Sequence, residues 1–412
     1  MHYLVHKLYT ERGNLFSIFS TSMIGIFASF FLMLAFANLI DQATLGIYQY
    51  LIATVSIIAS ISLTGINSAI IRATSKRQFS FLTIALRYAI YSAIFPLVIA
   101  LIAASYYTFN GNFIFAGGIL FGTIALLLLQ IQLRYNAIYV GIEEFKRSNY
   151  LLKASALGPL LILLPALFFL NNPAILVILY FTSSLLGVSL VLFVLKTKKQ
   201  IAALTSQHQS TFDESKNNKK NLWFSFHQSI VAVMNTAASH LDRIIVFQLL
   251  GPAATAIYFI SMSIPDRLRN ILKQFEPYLF SKFSKYTPEA AASTLGLKFV
   301  LGLIAIIPFF LCYILIAPHF FRLFLPQYIE AIPLTIMYSA TLFASVAVIP
   351  YSKMKAHSKD APFYIFTILF MFLKIIFIGL GAFHFGLEGA IVGATLATLL
   401  STLNVFLLAK KM

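Results

Sequence analysis

Positive charge in this chain keeps a two-beat rhythm. Of its 30 lysines and arginines, 27 fall in every second gap between long apolar runs, and the intervening gaps hold almost none. The cationic gaps carry Lys7 and Arg12; Arg72, Lys76, Arg77 and Arg87; Arg134, Lys146, Arg147 and Lys153; and the lysines from Lys196 to Lys220. After those come Arg267 to Lys298, then Lys353, Lys355 and Lys359, then Lys410 with Lys411. Basic loops stay on the cytoplasmic side of a bilayer, so the alternation counts the crossings and sets their direction. It predicts twelve transmembrane helices in an all-α membrane protein, with both termini cytoplasmic.

Composition agrees. With 59% hydrophobic and only 10% charged residues, the chain cannot be an ordinary soluble domain. Most apolar runs are near the ~20 residues that span roughly 30 Å of hydrocarbon as a helix. No long stretch alternates in polarity, which argues against a barrel. The net charge of +17 is dispersed through the basic gaps, so it reports topology and not a nucleic-acid patch. Ala35-Phe36-Ala37 looks like a signal-peptidase site, but the apolar run before it exceeds the ~7–15 residues of a signal peptide, so it is read as a retained first helix. The single Cys312 rules out a disulfide framework or a thiolate metal cluster, and no cofactor is expected.

The expected crossings are 15–39, 46–71, 82–105, 113–133, 154–170 and 174–195, then 223–249, 256–280, 295–317, 332–351, 362–383 and 387–408. Residues 196–221 form the one long polar linker, which divides an N-lobe (1–195) from a C-lobe (222–412). A faint repeat supports that division. Asn38–Tyr48 aligns without gaps on Gln248–Tyr258, with Leu39, Ala43, Ile47 and Tyr48 identical to Leu249, Ala253, Ile257 and Tyr258 at an offset of 210. Two six-helix halves in the same orientation are a parallel repeat, which places a substrate path between two lobes.

The informative charges lie where none should be. The clean apolar part of the eighth crossing, Ala253–Ile264, is too short to span, yet the basic gaps downstream require the crossing. It continues through Asp266, Arg267, Arg269, Lys273 and Glu276. Asp266, Arg269, Lys273 and Glu276 recur at spacings of three and four and share one helical face. Such a face either lines a water-filled cavity or protrudes into the cytoplasm as a solvated face. Crossing 7 adds Asp242 and Arg243, which either face a cavity or pair structurally, with His240 one turn before Arg243. Lys374 sits mid-way along crossing 11 with no sequence-adjacent partner. Arg243, Arg267, Arg269, Lys273 and Lys374 against Asp242, Asp266 and Glu276 leave a net charge of +2. A mildly cationic cavity suits an anionic cargo such as a diphosphate, since arginine forks match phosphate oxygens. At the repeat offset, Ile57, Ala59 and Leu63 stand opposite Arg267, Arg269 and Lys273, so the charge lies mainly in the second lobe. Gly118 with Gly122, and Gly389 with Gly393, are expected to permit close helix packing. Pro159, Pro165, Pro308 and Pro350 are expected to kink helices or mark their ends.

With these residues in view, the chain resembles the polysaccharide-biosynthesis flippases, the O-antigen and exopolysaccharide (Wzx-type) branch of the multidrug/oligosaccharidyl-lipid/polysaccharide (MOP) exporter superfamily. The likeness rests on Leu45–Tyr50 followed by Gly65–Arg72, on Asp242-Arg243-Ile244-Ile245 followed by Leu249-Leu250-Gly251 and Tyr258, on Phe320–Tyr328 followed by Ala331–Leu334, and on His384–Ala390. The resemblance implies a MATE-like fold in the bacterial cytoplasmic (inner) membrane. It also implies transport of undecaprenyl-diphosphate-linked oligosaccharide by alternating access, with contact to polysaccharide polymerase machinery. Arg243, Arg267, Arg269, Lys273 and Lys374 would attract the diphosphate, and Asp242, Asp266 and Glu276 would tune them or carry a coupling ion. The sparse charge in the first six crossings departs from the shared cavity of the family. Two alternatives stay open: a cation-coupled multidrug exporter and a peptidoglycan-precursor lipid flippase. An enzyme is disfavoured, because Asp41 is the lone acid of the early outward loops and no outward loop is long.

Overall fold

The structure is a computed structural model that describes residues 21, 23–195, 212–273, 276, 279, 283, 288–357 and 361–411. Among these residues every long element is a helix and none is a strand. A lipid-embedded amide has no water to bond, so an apolar run satisfies itself within the segment. The elements are α1 (Met23–Leu39), α2 (Gln42–Ser60), α3 (Ile66–Ser75), α4 (Ser80–Ser92), α5 (Ile94–Phe109), α6 (Phe113–Gly141), α7 (Phe145–Ala166) and α8 (Pro173–Val194). Then follow α9 (Phe212–Lys273), α10 (Pro288–Phe324), α11 (Ala331–Ser339), α12 (Val348–His357) and α13 (Ala361–Lys411). A 3-10 stretch, Ala340–Ala347, joins α11 to α12. Nine helical stretches among the described residues are long and apolar enough to cross a bilayer, and α1 is a shorter apolar helix. The start of the first expected crossing, the N-terminus and linker residues 196–211 lie outside the described residues.

Two of the long helices turn back on themselves at a glycine. In α9 the break is Gly251 (φ 87°), and in α13 it is Gly386 (φ 61°), both in the left-handed region that favours glycine. Pro252 follows Gly251 with its φ preset for a new helix. The Arg243 guanidinium lies 5.2 Å from the Phe259 ring centre, and these residues stand equally far from Gly251 in sequence. Residues 237–250 and 252–273 are therefore an antiparallel hairpin. In α13 a Cβ on Gly389 would lie 2.1 Å from the Gly381 carbonyl oxygen, and one on Gly393 would lie 2.2 Å from that of Phe377. The expected packing role of Gly389 and Gly393 holds, and so does that of Gly118 against Leu51 and Gly122 against Val55 and Val177.

Boundaries differ from the sequence reading in several places, two of which concern the first break and the linker. The second expected crossing (46–71) is broken: α2 ends at Ser60, turns occupy 61–65, and α3 begins at Ile66. Ser60 donates its hydroxyl to the Ile57 carbonyl at 2.7 Å, a local bond of the kind that competes with the helix ladder. Residues 212–221, read as linker, are instead the first turns of α9.

Helix starts carry their caps. Asn172 accepts from the Ala174 and Ile175 amides at 3.0 and 3.3 Å, with Pro173 in the first turn of α8. Asp41 accepts from the Thr44 amide at 2.9 Å at the head of α2. Burial pulls the Asp41 carboxyl upward, but hydrogen bonds from Thr44 and nearby backbone outweigh it and hold the group below the usual carboxylate range. The acid singled out in the early outward loops is thus a helix cap.

The described residues divide into two compact units. One holds the chain up to Ile40 together with Leu51–Thr236; the other holds Asp41–Tyr50 together with the chain from Ala237 onward.

Candidate functional site

All eight candidate residues fall in the second of these units. The hairpin in α9 places them on two adjoining antiparallel helices, and α2, α11 and α13 supply the partners.

Lys374 of α13 reaches Asp242 of α9, with Nζ to Oδ2 at 2.9 Å and side-chain exposures of 12% and 4%. The same ammonium donates to the Ala238 carbonyl at 2.8 Å. Asp242 Oδ1 accepts from the Arg243 amide at 2.9 Å. Around the pair Ala238, Leu241, Ile245, Met371, Ile375 and Ile378 form an apolar crevice without space for a water molecule. Asp242 is therefore fully committed. Arg243, its neighbour, turns elsewhere: its guanidinium donates to Gln49 Oε1 at 3.1 Å and stacks over the Phe259 ring. Both partners are neutral, and among the described residues Arg243 has no ion pair. His240 is partly buried, within electrostatic reach of Arg243, Asp242 and Lys374, and its Nδ1 makes no hydrogen bond.

The second group sits past the hairpin. Arg269 Nη1 and Asp266 Oδ1 form an ion pair at 3.0 Å. The buried Tyr338 of α11 donates its hydroxyl to the same Asp266 oxygen at 3.0 Å and accepts from Arg269 at 3.5 Å. At this level Arg269 is largely covered, at 15% side-chain exposure, while the Asp266 side chain stays 42% exposed. Arg267 donates to the Ser263 carbonyl at 2.7 Å. Lys273 is exposed and lies within electrostatic reach of Arg269, Asp266 and Glu276, as their shared face requires. The carbonyl of Glu276 accepts from Ser352 at 3.5 Å.

Tyr258 links the two groups. It is fully buried, its hydroxyl has no hydrogen-bond partner, and Asp242, Arg243, Asp266 and Tyr338 all act on it electrostatically. Sequence reasoning missed Tyr258, Tyr338 and Gln49 as members of this site. The repeat pairs Tyr48 with Tyr258 and could have drawn notice to the latter; nothing in sequence marks Tyr338 or Gln49.

One sequence assignment is corrected. Arg134, placed in a cytoplasmic gap, lies inside α6 and is 2% exposed. The helix runs past it because Tyr135–Gly141 is itself largely apolar, so hydropathy on both sides carries the segment through the charge. The first unit therefore does hold a buried cation.

No family model matches the chain, and no curated protein matches it. Solved structures do. An inward-facing multidrug-resistance MATE transporter of the MOP superfamily aligns over 95% of this chain and 94% of its own, at a TM-score of 0.63 and 13% identity. A MOP-superfamily transporter from Pyrococcus furiosus, with a reversed polarity of its binding pocket, aligns over 97% and 95% at 0.60 and 13% identity. The lipid II flippase MurJ, inward closed, aligns over 96% and 87% at 0.57 and 14% identity. The chain has the fold of MOP-superfamily transporters, shared by multidrug exporters and a lipid flippase.

Proposed function

We propose that the protein is a flippase for an undecaprenyl-diphosphate-linked oligosaccharide, an O-antigen or exopolysaccharide repeat unit, in the bacterial cytoplasmic membrane. In this reading the chain crosses the membrane twelve times from a cytoplasmic N-terminus to a cytoplasmic C-terminus. Two six-crossing halves, joined by the segment between α8 and α9, alternate access to the two faces, and contact with polysaccharide polymerase machinery follows from the cargo. One observation carries the charge argument: Asp242 is taken by Lys374, so Arg243 keeps only the neutral Gln49 and Phe259. A guanidinium whose side-chain contacts are neutral, beside an acid already paired with Lys374, favours an anion and repels a cationic drug. Arg269, Arg267, Lys273 and Lys374 add to the positive field on the diphosphate. Asp242, Asp266 and Glu276 set its strength or carry a coupling ion.

The test is the fate of lipid-linked sugar in cells of the source organism that lack the protein. Undecaprenyl-diphosphate oligosaccharide accumulating on the cytoplasmic leaflet, with loss of surface polysaccharide, is the expected result and names the cargo by mass. Unchanged lipid-linked pools with new sensitivity to cationic drugs would move the assignment to a multidrug exporter. Accumulation of peptidoglycan precursor would move it to a precursor-lipid flippase.

A further inference from the structure

Arg134 is the one cation of the first unit that is fully buried among the described residues. Among the described residues it has no ion pair, and its single hydrogen bond there is to the Leu63 carbonyl at 3.4 Å, in the break between α2 and α3. That bond is not needed to cap the break. Leu63 O already accepts from the Ile66 amide at 3.2 Å, and the Ile57, Ile58 and Ala59 carbonyls near the end of α2 are taken by Ser60, Ile61 and Ser62. The amides of Leu63 and Gly65 donate to Ser92 and Ser229 at 3.1 and 2.9 Å. These backbone groups are satisfied; the guanidinium is not, and its Nε has no partner among the described residues.

An arginine cannot shed its proton, so its charge in an apolar bundle calls for a counter-anion. Two further donors stand beside it. Gln130, one helical turn earlier on the same face, uses its oxygen to accept from Ser62 at 3.0 Å and leaves its amide N–H groups unbonded. The Thr64 hydroxyl, next to Leu63, is buried without a partner. At ~1.5 Å per residue Arg134 lies about 10 Å from the Gly141 end of α6 and roughly one hydrocarbon thickness from Phe113 at the other end, a level a lipid phosphate can reach.

We propose that Arg134, with Gln130 and Thr64 beside the break after α2, binds one phosphate-type oxyanion inside the first unit, free or as the phosphate of a lipid headgroup. The planar guanidinium fork fits two such oxygens. The site stands apart from the flippase reading, and transport is not its readout.

The test uses the full chain in dodecyl maltoside micelles, which contain no phosphate, at constant ionic strength held with a bulky sulfonate salt. Melting temperature and protein-bound phosphorus are measured while inorganic phosphate or dioctanoyl phosphatidic acid is added. Wild type, and Arg72→Gln at an exposed cation of the same unit, should show a saturable rise. Arg134→Met should show none, and should melt at or above the ligand-free wild type because a buried unpaired charge is gone. A rise with inorganic phosphate assigns the site to free oxyanions, and one seen only with phosphatidic acid assigns it to headgroups. Equal responses, or equal bound phosphorus, in wild type and Arg134→Met overturn the proposal. Should Arg134→Met not fold, Gln130→Leu is expected to raise the half-saturating concentration about three- to tenfold. An unchanged concentration would overturn it as well.

Discussion

Breaking the Asp242–Lys374 pair from either side should have unequal effects, and the structure gives the order. At 2.9 Å and an effective dielectric near 20, the attraction is about 6 kcal/mol, set against a desolvation cost of several kcal/mol for each ion. The intact pair is therefore worth little net, whereas removing one member of a buried pair costs about 3–5 kcal/mol. Lys374→Met leaves the Asp242 carboxylate beside Arg243, whose guanidinium can swing from the neutral Gln49 to replace the lost ammonium. Its cost should lie near the low end. Asp242→Asn leaves Lys374 and Arg243 close together with no acid between them, and its cost should lie near the high end. The double variant Asp242→Asn/Lys374→Met removes both and should be more stable than Asp242→Asn alone. Unfolding in detergent, followed by intrinsic fluorescence or fluorescence-detected gel filtration after heating, reads the order. If Lys374→Met proves the more damaging of the two, or if the double variant is worse than both singles, the pairing is not as described.

Other expectations follow from single contacts. Arg269→Ala should abolish transport of lipid-linked sugar while membrane insertion stays normal, and normal transport would count against the cavity role. Tyr338→Phe removes a donor to Asp266 and should cost about 1–2 kcal/mol, read as a lowered melting temperature. Gly389→Leu would drive a side chain into the Gly381 backbone and should abolish recovery of folded protein on gel filtration. Asp41 is more acidic folded than unfolded, so its stabilisation is complete above its ordinary value of 3.8 and fades as pH falls through its lowered value. The stability gap between wild type and Asp41→Asn should therefore close at acid pH.

What sequence could reveal was governed by range. Hydropathy marks the helices because each apolar run satisfies its own amides, and Leu250-Gly251-Pro252 marks a hairpin because both residues fix local backbone. The suspicious charges were also legible, since cost in a bilayer depends on type and depth alone. Their pairings were not. Asp242 and Lys374 are 132 residues apart, Arg243 and Gln49 are 194 apart, and nothing local joins them. Arg134 was misplaced for a different reason: a cation near the end of an apolar run satisfies the positive-inside pattern whether it lies in a loop or inside the helix. The break after α2 was hidden because a hydropathy window averages Ser60, Ser62 and Thr64 into their apolar neighbours.

The repeat gives that misplaced arginine a further meaning. α2 begins at Gln42 and the second arm of the α9 hairpin at Pro252, in keeping with the offset of 210 between the aligned segments. At that offset Leu63 corresponds to Lys273. The first half lacks a cation at the position itself, yet Arg134, from a different helix, brings its guanidinium to the Leu63 carbonyl. The two halves would then keep a positive charge at one register position by different means, a side chain of the helix in one and a visitor from α6 in the other. If position and not residue is what matters, Leu63→Lys should restore a phosphate-dependent rise in melting temperature to Arg134→Met. A double variant that folds but stays unresponsive to phosphate would show that the guanidinium's fork, and not its charge at that register, makes the site.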